Sequence, residues 1–396
     1  MSPNHSRIVS IARLLGVLLG VLLAAMSLLA SCGGGTTAAP RPSAQPAKTI
    51  EGAHRAILYI DVHGSGASRA WMTNSVTADG TSGPVVALKG FGATWSPDGS
   101  KFAYVDRSND LVVGTPADHR TLLPSKKSTY VVSYPMWSPD GSKIAVLAFP
   151  PNRAIVVDAT TGQRVGEWKV PQSVAALPYP TAPLYHMAWS PDGTKLLFAW
   201  ESVGVLDTTS GVYTQIAPTQ AMADWSPDGK GVFYLSILGA DNPAKRGLGG
   251  LHYRALDSST ATQLTSASAI AAAGYGLNAL NGGLMDLSPD GTQMALVLGS
   301  KAGDGSYLVT VPVESASSLD LTKPTARVPT SPDPAFSISW SPDGTQLAVE
   351  TLTQNGVDIK SLTLASESWR TMDSMTVTDI SELESMAWSK PINWAS

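Results

Sequence analysis

Residues 95–99 read Trp-Ser-Pro-Asp-Gly, and this five-residue phrase decides the fold of the chain. It returns letter for letter four more times, and the perfect copies begin at Trp95, Trp137, Trp189, Trp225 and Trp340. A sixth copy begins with Leu287 instead of Trp, and a degenerate seventh lies around Trp388. Successive copies begin about 36 to 62 residues apart, a spacing typical of repeated units such as four-stranded propeller blades of about 40–45 residues.

The chemistry of the phrase predicts a tight hairpin turn. In the first copy, Ser96 can accept a local backbone hydrogen bond, and the ring of Pro97 sets φ near −65° at the first corner. Asp98 tolerates the second corner, and Gly99 supplies the positive φ that closes the turn. The residues that follow each copy, such as 101–105 and 143–147, are rich in β-branched and aromatic side chains. Each copy therefore joins two strands of one blade.

The first residue of each phrase is interpreted as a packing residue. Apolar residues stand two positions before the phrase in every copy, and period-two alternation places them on the same strand face as the Trp or Leu. A buried Trp contributes about 150–250 Å² of contact area. The motif Trp and Asp are thus assigned to the architecture, and the site of function is sought elsewhere.

The N-terminus predicts export and lipid attachment. Arg7 and Arg13 precede a short apolar run, and residues 29–32 read Leu-Ala-Ser-Cys. This pattern resembles a bacterial lipobox, which implies a signal peptide over residues 1–31, acylation of Cys32 (diacylglyceryl and palmitate) and attachment to the membrane. An uncleaved anchor helix with an incidental cysteine is the alternative. In both cases the rest of the chain lies outside the cytoplasmic membrane, and sorting to an outer membrane stays open.

Residues 32–50 are rich in Gly, Thr, Ala and Pro and predict a flexible tether. Residues 51–396 are then expected to form a single propeller domain. Without Arg7 and Arg13, 25 basic residues stand against 31 acidic ones, a net charge of −6. Such a balance argues against nucleic-acid binding, which needs clustered positive charge.

The number of blades depends on how the ring closes. Three strand-like runs precede the first motif, namely 56–62, 69–74 and 84–88. They lack an innermost strand, whereas the degenerate motif at Trp388 lacks outer ones. Pairing them gives a last blade built from both ends of the chain, which protects the sheet edges. Seven blades are therefore favoured, with six as the alternative if the segment around Trp388 only caps the ring.

The Ser-Pro-Asp-Gly hairpins resemble the WD40-like repeats of TolB-type β-propeller proteins over about residues 55–394. The resemblance implies an all-β fold of four-stranded blades. Some hydrolases carry similar repeats before a catalytic α/β domain. The Gly-x-Ser-x-Gly nucleophile elbow of that domain occurs nowhere in this sequence.

Few titratable residues combine into a catalytic pattern. Asp224 and Asp286 each stand one residue before a motif in consecutive blades, so they are expected at similar height near the central channel. Two such acids could hold a cation or act as an acid/base pair, with His186 as the one histidine close to the same face. Hydrogen bonds between blades are the competing explanation. No cofactor and no metal site are predicted beyond that channel cation.

Long connections predict the binding surface. In a propeller, the second connection within each blade and the links between blades emerge on one face, where the segments 171–185, 238–250, 266–283 and 323–336 collect. Loops of this kind carry binding residues on rigid scaffolds. The candidates combine aromatic and polar side chains: Tyr179, Tyr185, Asp241, Lys245, Arg246, Tyr275, Asn278 and Asn281.

Together these features favour a membrane-anchored, extracytoplasmic propeller that binds another protein of the cell envelope and catalyses nothing. Two alternatives stay open. One is an extracytoplasmic enzyme, a lyase or glycan hydrolase, at the channel mouth. The other is a protein that captures a small glycan or peptide there.

Overall fold

The computed structural model describes residues 56–63, 70–77, 88–115, 118–125, 131–149, 152–171, 186–199, 201–239, 246–277, 285–303, 305–315, 317–330, 333–354, 356–376 and 393–394. These residues form an all-β propeller of six sheets, which we call blades 1 to 6 in chain order. No helix within these ranges has the length and apolar character needed to span a bilayer.

Blade 1 is a sheet of seven strands. Its strands are β1 (Ala56–His63), β2 (Ala70–Thr77), β3 (Leu88–Trp95), β4 (Phe102–Asp106), β5 (Leu111–Gly114), β6 (His119–Leu123) and, from the end of the chain, β29 (Asn393–Trp394). Their order in the sheet is β29-β1-β2-β3-β4-β5-β6, and all neighbouring strands run antiparallel.

Blades 2, 3 and 4 each contain four antiparallel strands in chain order. Blade 2 consists of β7 (Val131–Trp137), β8 (Lys143–Phe149), β9 (Arg153–Asp158) and β10 (Arg164–Lys169). Blade 3 consists of β11 (His186–Trp189), β12 (Lys195–Ala199), β13 (Val203–Asp207) and β14 (Tyr213–Ala217). Blade 4 consists of β15 (Ala221–Trp225), β16 (Gly231–Leu238), β17 (Gly247–Ala255) and β18 (Thr262–Thr265).

Blade 5 follows the only α-helix of the described ranges, α1 (Ala267–Ala272). It contains β19 (Tyr275–Gly276), β20 (Met285–Leu287), β21 (Gln293–Ser300), β22 (Ser306–Ser315), β23 (Ser318–Leu319) and β24 (Ala326–Pro329). Blade 6 consists of β25 (Ala335–Trp340), β26 (Gln346–Leu352), β27 (Gly356–Thr363) and β28 (Ser368–Thr376), with a 3-10 turn at Leu364–Ser366.

The favoured count of seven blades is wrong for the described residues, and the alternative of six is what the structure shows. The strands β1 and β2 do not form a separate sheet. Instead, β2 pairs with β3 through Met72–Lys89 and Thr73–Leu88, which joins them to the first motif blade. The two ends of the chain do meet, because β1 pairs with β29 through Ile57–Trp394 and Leu58–Asn393. The degenerate motif around Trp388 lies outside the described residues.

The hairpin chemistry of the motif is confirmed. In the first copy, the N–H of Lys101 donates to Ser96 Oγ at 2.9 Å, and the Ser96 hydroxyl donates to Asp98 Oδ1 at 2.6 Å. Gly99 has φ +64°, and its N–H donates to the Ser96 carbonyl at 2.8 Å. The turn is thus held by its own side chains as well as by the glycine.

A hydrogen bond from the motif Trp links successive blades. The indole N–H of Trp137 donates to the carbonyl of Thr94 at 3.2 Å, and that of Trp189 donates to the carbonyl of Met136 at 3.1 Å. Trp225 and Trp340 repeat the contact with blades 3 and 5. The acceptor is always the carbonyl of the residue just before the motif of the previous blade. The Trp therefore packs between blades and also satisfies a buried backbone oxygen.

The two faces of the propeller differ in the length of the connections that they carry. The N–H of Ala159 donates to the Ser142 carbonyl at 2.9 Å, which places the third turn of blade 2 beside its motif turn. We call this side the short-turn face. The second connection of each blade and the links between blades emerge on the opposite side, the long-connection face.

Three of the expected long loops are shorter in the structure. Residues 247–250 belong to strand β17, so the loop in blade 4 spans only 239–246. The segment 266–283 contains helix α1 and strand β19, and the segment 323–336 contains strand β24. Local side-chain bonding explains the helix, since Ser266 Oγ caps it by accepting the N–H of Ala269 at 3.2 Å. The link 171–185 lies almost entirely outside the described residues.

Candidate functional site

Asp224 lies buried between blades 4 and 5. Its side chain stands at the end of β15 and is 5% exposed. One carboxylate oxygen, Oδ1, accepts the N–H of Trp225 at 2.7 Å. The other, Oδ2, accepts the N–H of Leu287 in the next blade at 3.1 Å. Both oxygens of this acid are therefore bonded to the backbone.

Asp286 repeats the arrangement one blade further on and is 3% exposed. Its Oδ2 accepts the N–H of Trp340 in blade 6 at 3.1 Å, and its backbone carbonyl accepts the indole N–H of the same residue at 2.8 Å. The two acids thus connect three consecutive blades through the first residue of each following motif.

Burial changes the acidity of this pair. It raises the pKa of Asp224 to about 7, while the N–H groups of Trp225 and Leu287 act in the opposite direction. Burial also raises the pKa of Asp286 well above its ordinary value, and the negative charge of Asp224 raises it further. Since two nearby buried carboxylates disfavour a second negative charge, burial and the charge of Asp224 both favour the protonated form of Asp286.

Leu287 is the one motif position in these ranges where no indole is present. It is 4% exposed and packs in the core of blades 2 to 5. Having no N–H in its side chain, it cannot form the Trp contact to the carbonyl of Asp224. Here the link between blades is made instead by the Asp224 carboxylate and the backbone N–H of Leu287.

A third buried acid, Glu350, was not found by sequence reasoning. It lies in β26, is 7% exposed, and burial raises its pKa to about 8. The available signal was a glutamate within an otherwise apolar strand, Gln-Leu-Ala-Val-Glu-Thr-Leu at residues 346–352. Within the described part of the chain, no group of three or more His, Cys, Asp or Glu side chains is placed to hold a metal ion.

His186 begins strand β11, where its backbone pairs with Ala199 of β12. It is therefore in blade 3, one blade before Asp224. Seven other candidates lie outside the described residues: Cys32, Tyr179, Tyr185, Asp241, Lys245, Asn278 and Asn281.

Tyr275 lies on the long-connection face, but its side chain is only 2% exposed. Its ring meets that of Tyr307 edge to face at 6.3 Å, and the guanidinium of Arg327 lies 4.7 Å from its centre. Arg327 also donates to the carbonyl of Ala273 at 3.2 Å, at the end of α1. Tyr275 thus packs beneath helix α1 at the start of blade 5. Its ring is covered and is not accessible to a ligand.

Arg246 lies at the long-connection end of blade 4, just before β17. Its Nη2 donates to Gln220 Oε1 at 3.2 Å, and Gln220 is 6% exposed. The Nε of Arg246 is buried and has no hydrogen-bond partner. Burial lowers the pKa of this guanidinium. Across the hairpin, Leu238 pairs with Gly247 and is 51% exposed.

We call this group of Gln220, Leu238, Arg246 and Gly247 the blade-4 tip. It combines an exposed apolar side chain with a partly desolvated cation on the face where the propeller carries its longer connections. Sequence reasoning found Arg246. It missed Leu238 and Gln220, whose exposure and contact depend on how the hairpin folds.

No protein-family model matches this chain. No curated protein matches it either. The structure is similar to that of the periplasmic gluconolactonase of Pseudomonas aeruginosa, with 15% identity, coverage of 86% of this chain and 99% of that chain, and a TM-score of 0.53. An acylaminoacyl peptidase of Pyrococcus horikoshii gives 9% identity, coverage of 81% of this chain and 50% of that chain, and a TM-score of 0.53.

The crystal structure of TolB from Acinetobacter baumannii is also similar, with 13% identity, coverage of 86% of this chain and 82% of that chain, and a TM-score of 0.42. At these identities the likenesses to the gluconolactonase and the peptidase show a shared fold and leave the activity open. Function has to be argued from the residues of this chain.

Proposed function

We propose that this chain is a non-catalytic, TolB-like propeller of the cell envelope, attached to the membrane through acylated Cys32, that binds another envelope protein through its long-connection face. The tether supports this role. Between Cys32 and the first strand residue, Ala56, lie about two dozen residues of linker composition, and a coil of that length would reach about 25–30 Å on average. The propeller would thus stay near the membrane and remain free to reorient.

The use of the buried acids is the observation that carries the proposal. Asp224 and Asp286 are the carboxylates that the sequence predicts near the central channel, and both accept backbone N–H groups of the following blade. A catalytic carboxylate needs an oxygen within reach of the substrate. In contrast, the blade-4 tip presents Leu238 with 51% of its surface exposed, beside the partly exposed side chain of Arg246.

The experiment compares two exposed apolar positions on opposite faces. A photo-crosslinking amino acid is placed at Leu238 on the long-connection face, or at Val212 on the short-turn face, which is 58% exposed. Crosslinking in cells is followed by affinity capture and mass spectrometry. We expect one envelope protein to be joined through position 238 and absent from the sample crosslinked at position 212.

Two further variants test the surface and the anchor. Residues 239–246 are replaced by a short Gly-Ser turn, and the control receives the same turn at 159–162 on the opposite face. The first change should abolish the crosslinked product while the chain stays folded, with only a small fall in melting temperature because Gln220 loses its hydrogen bond from Arg246. A Cys32→Ala chain should lose the product if anchoring is needed. Equal crosslinking from positions 238 and 212 would contradict the choice of face.

An extracytoplasmic enzyme is the second candidate, because the pKa of Asp224, which burial raises to about 7, suits proton transfer near neutral pH. It would use these acids with His186 on a glycan, or the same mouth would bind a small glycan or peptide without reaction. Asp224→Asn and Asp286→Asn should then abolish turnover of glycan substrates while the circular dichroism spectrum is retained. Turnover that survives both substitutions excludes this site.

A further inference from the structure

Two arginines of blade 4 differ in how their donors are used. Arg254 donates from Nε to the carbonyl of Ser258 at 3.1 Å, and from Nη1 to the carbonyls of Gln215 and Ile216 at 2.9 and 2.5 Å. Three backbone carbonyl oxygens thus accept hydrogen bonds from the guanidinium of Arg254. Arg246, in contrast, donates one hydrogen bond, from Nη2 to the neutral amide oxygen of Gln220. Its Nε is buried and has no acceptor.

An unpaired buried donor on a charged group is costly, because the group has lost its hydrogen bonds to water and gained none in the protein. Such groups in native structures call for an explanation, and a missing acceptor is the usual one. Within the described ranges, no salt bridge joins a carboxylate to Arg246. Because the Nε and Nη atoms of a guanidinium form a planar fork, the acceptor that fits them best is a carboxylate, which accepts two parallel N–H groups.

The backbone beside Arg246 leaves open space. A Cβ placed on Gly247 would have no atom within 4 Å. At the neighbouring glycines the opposite holds, since a Cβ on Gly249 would lie 2.2 Å from Ser236 Oγ and one on Gly250 would lie 2.5 Å from Gln263 Nε2. Gly249 and Gly250 thus serve the packing of the hairpin, whereas the Cβ position of Gly247 is open space beside Leu238, the cross-strand partner of Gly247. We call this open space the notch.

We infer that the blade-4 tip binds an acidic peptide segment of the protein partner, in which a carboxylate side chain pairs with Arg246 and an adjacent apolar side chain enters the notch at Gly247 against Leu238. This inference rests on the proposed function and names the chemistry of its partner. The carboxylate would supply the counter-charge that no described residue gives to Arg246, and Leu238 would be covered by an apolar neighbour. Electrostatic complementarity of this kind determines which partner is accepted.

The test uses two fluorescent five-residue peptides that differ in one group. Each has two valines on each side of a central residue, which is Asp in one peptide and Asn in the other. Binding to the full chain, purified in detergent, is measured by anisotropy, and the Nε–H resonance of Arg246 is followed by NMR. We expect the acidic peptide to bind at least about tenfold more tightly than the amide peptide, and to shift that resonance.

Three variants separate the parts of the inference. Arg246→Gln should remove the preference for the acid, and Arg370→Gln, which removes an exposed arginine from β28 of blade 6, should leave it intact. Gly247→Leu fills the notch and should abolish binding of both peptides without lowering the melting temperature, because the site has room for the side chain. Retained binding by a folded Gly247→Leu chain would overturn the role of the notch.

Other results would overturn the inference that a carboxylate pairs with Arg246. These are equal affinity for the two peptides, a preference that survives Arg246→Gln, or no binding of either peptide at about 1 mM. Displacement of the acidic peptide by free gluconate at the same concentration would assign the site to small sugar acids instead. None of these outcomes changes the crosslinking result at position 238, so failure of this inference is distinguishable from failure of the proposed function.

Discussion

The indole hydrogen bond between blades predicts the effect of removing one nitrogen atom. In Trp340→Phe, the ring still fills the space between blades 5 and 6, but the donor to the Asp286 carbonyl, now at 2.8 Å, is lost. A buried carbonyl left without its partner costs about 1–3 kcal/mol. The smaller ring loses about 1 kcal/mol more of apolar burial. We therefore expect the free energy of unfolding to fall by about 2–4 kcal/mol.

The measurement is the urea midpoint at neutral pH, followed by far-ultraviolet circular dichroism, since the substitution alters tryptophan fluorescence directly. Trp168→Phe is the control. Trp168 is half-buried on the outer strand of blade 2, and a Phe there should change the free energy of unfolding by less than about 1 kcal/mol. Hydrogen exchange should also show faster local opening of β20 and β25 in Trp340→Phe. A Trp340→Phe chain as stable as the Trp168→Phe chain would refute the role assigned to the indole.

Two further predictions concern pH. Partial burial acts to raise the pKa of Asp98, but hydrogen bonds from Ser96 and Ser100 outweigh it and lower the pKa below its ordinary value, so the ionised form stabilises the hairpin. This contribution is fully present above the unfolded pKa and is lost as pH falls through the lower folded value. Asp98→Asn should therefore cost up to about 1 kcal/mol at pH 6 and progressively less as pH falls below 3.8, by urea midpoints, and a cost that does not fall with pH would contradict this role. Glu350 has the opposite sign: burial raises its pKa from 4.5 to about 8, so the folded state binds its proton more tightly and stability falls as pH rises between these values. Glu350→Gln should remove that decline, on the order of 3 kcal/mol between about pH 5 and pH 9, and an unchanged pH profile would show that the carboxyl is solvated.

The motif hairpins could be read from sequence because their bonding is local. Ser96, Asp98 and Gly99 bond within a few residues of one another, so turn chemistry alone predicts the contacts that the structure shows. The same holds for the strands after each motif, which alternation and β-branched composition place correctly. The number of blades could not be predicted from the sequence in the same way. It depends on whether β2 pairs with β3, and no turn motif specifies that pairing.

The candidate site illustrates the same division. The sequence indicated that Asp224 and Asp286 stand at equivalent positions in consecutive blades, and it left open whether they perform chemistry or join blades. The structure supplies the acceptor geometry, with the N–H of Leu287 and that of Trp340 each bonded to an acid of the preceding blade. Helix α1 was missed because its six residues, Ala-Ser-Ala-Ile-Ala-Ala, lie in a stretch that otherwise has loop composition.

The sequence by itself determined the repeated hairpin, the all-β propeller class and the apolar face on which each motif Trp lies. These depend on interactions over a few residues and on the period of two along a strand. Only the tertiary structure decided that the indole N–H satisfies a carbonyl of the previous blade, that Tyr275 is covered by Arg327, and that Arg246 keeps a nitrogen unpaired beside an open glycine. Those features depend on contacts between segments distant in the chain, where burial and the direction of a side chain are set by the packing of one blade against the next.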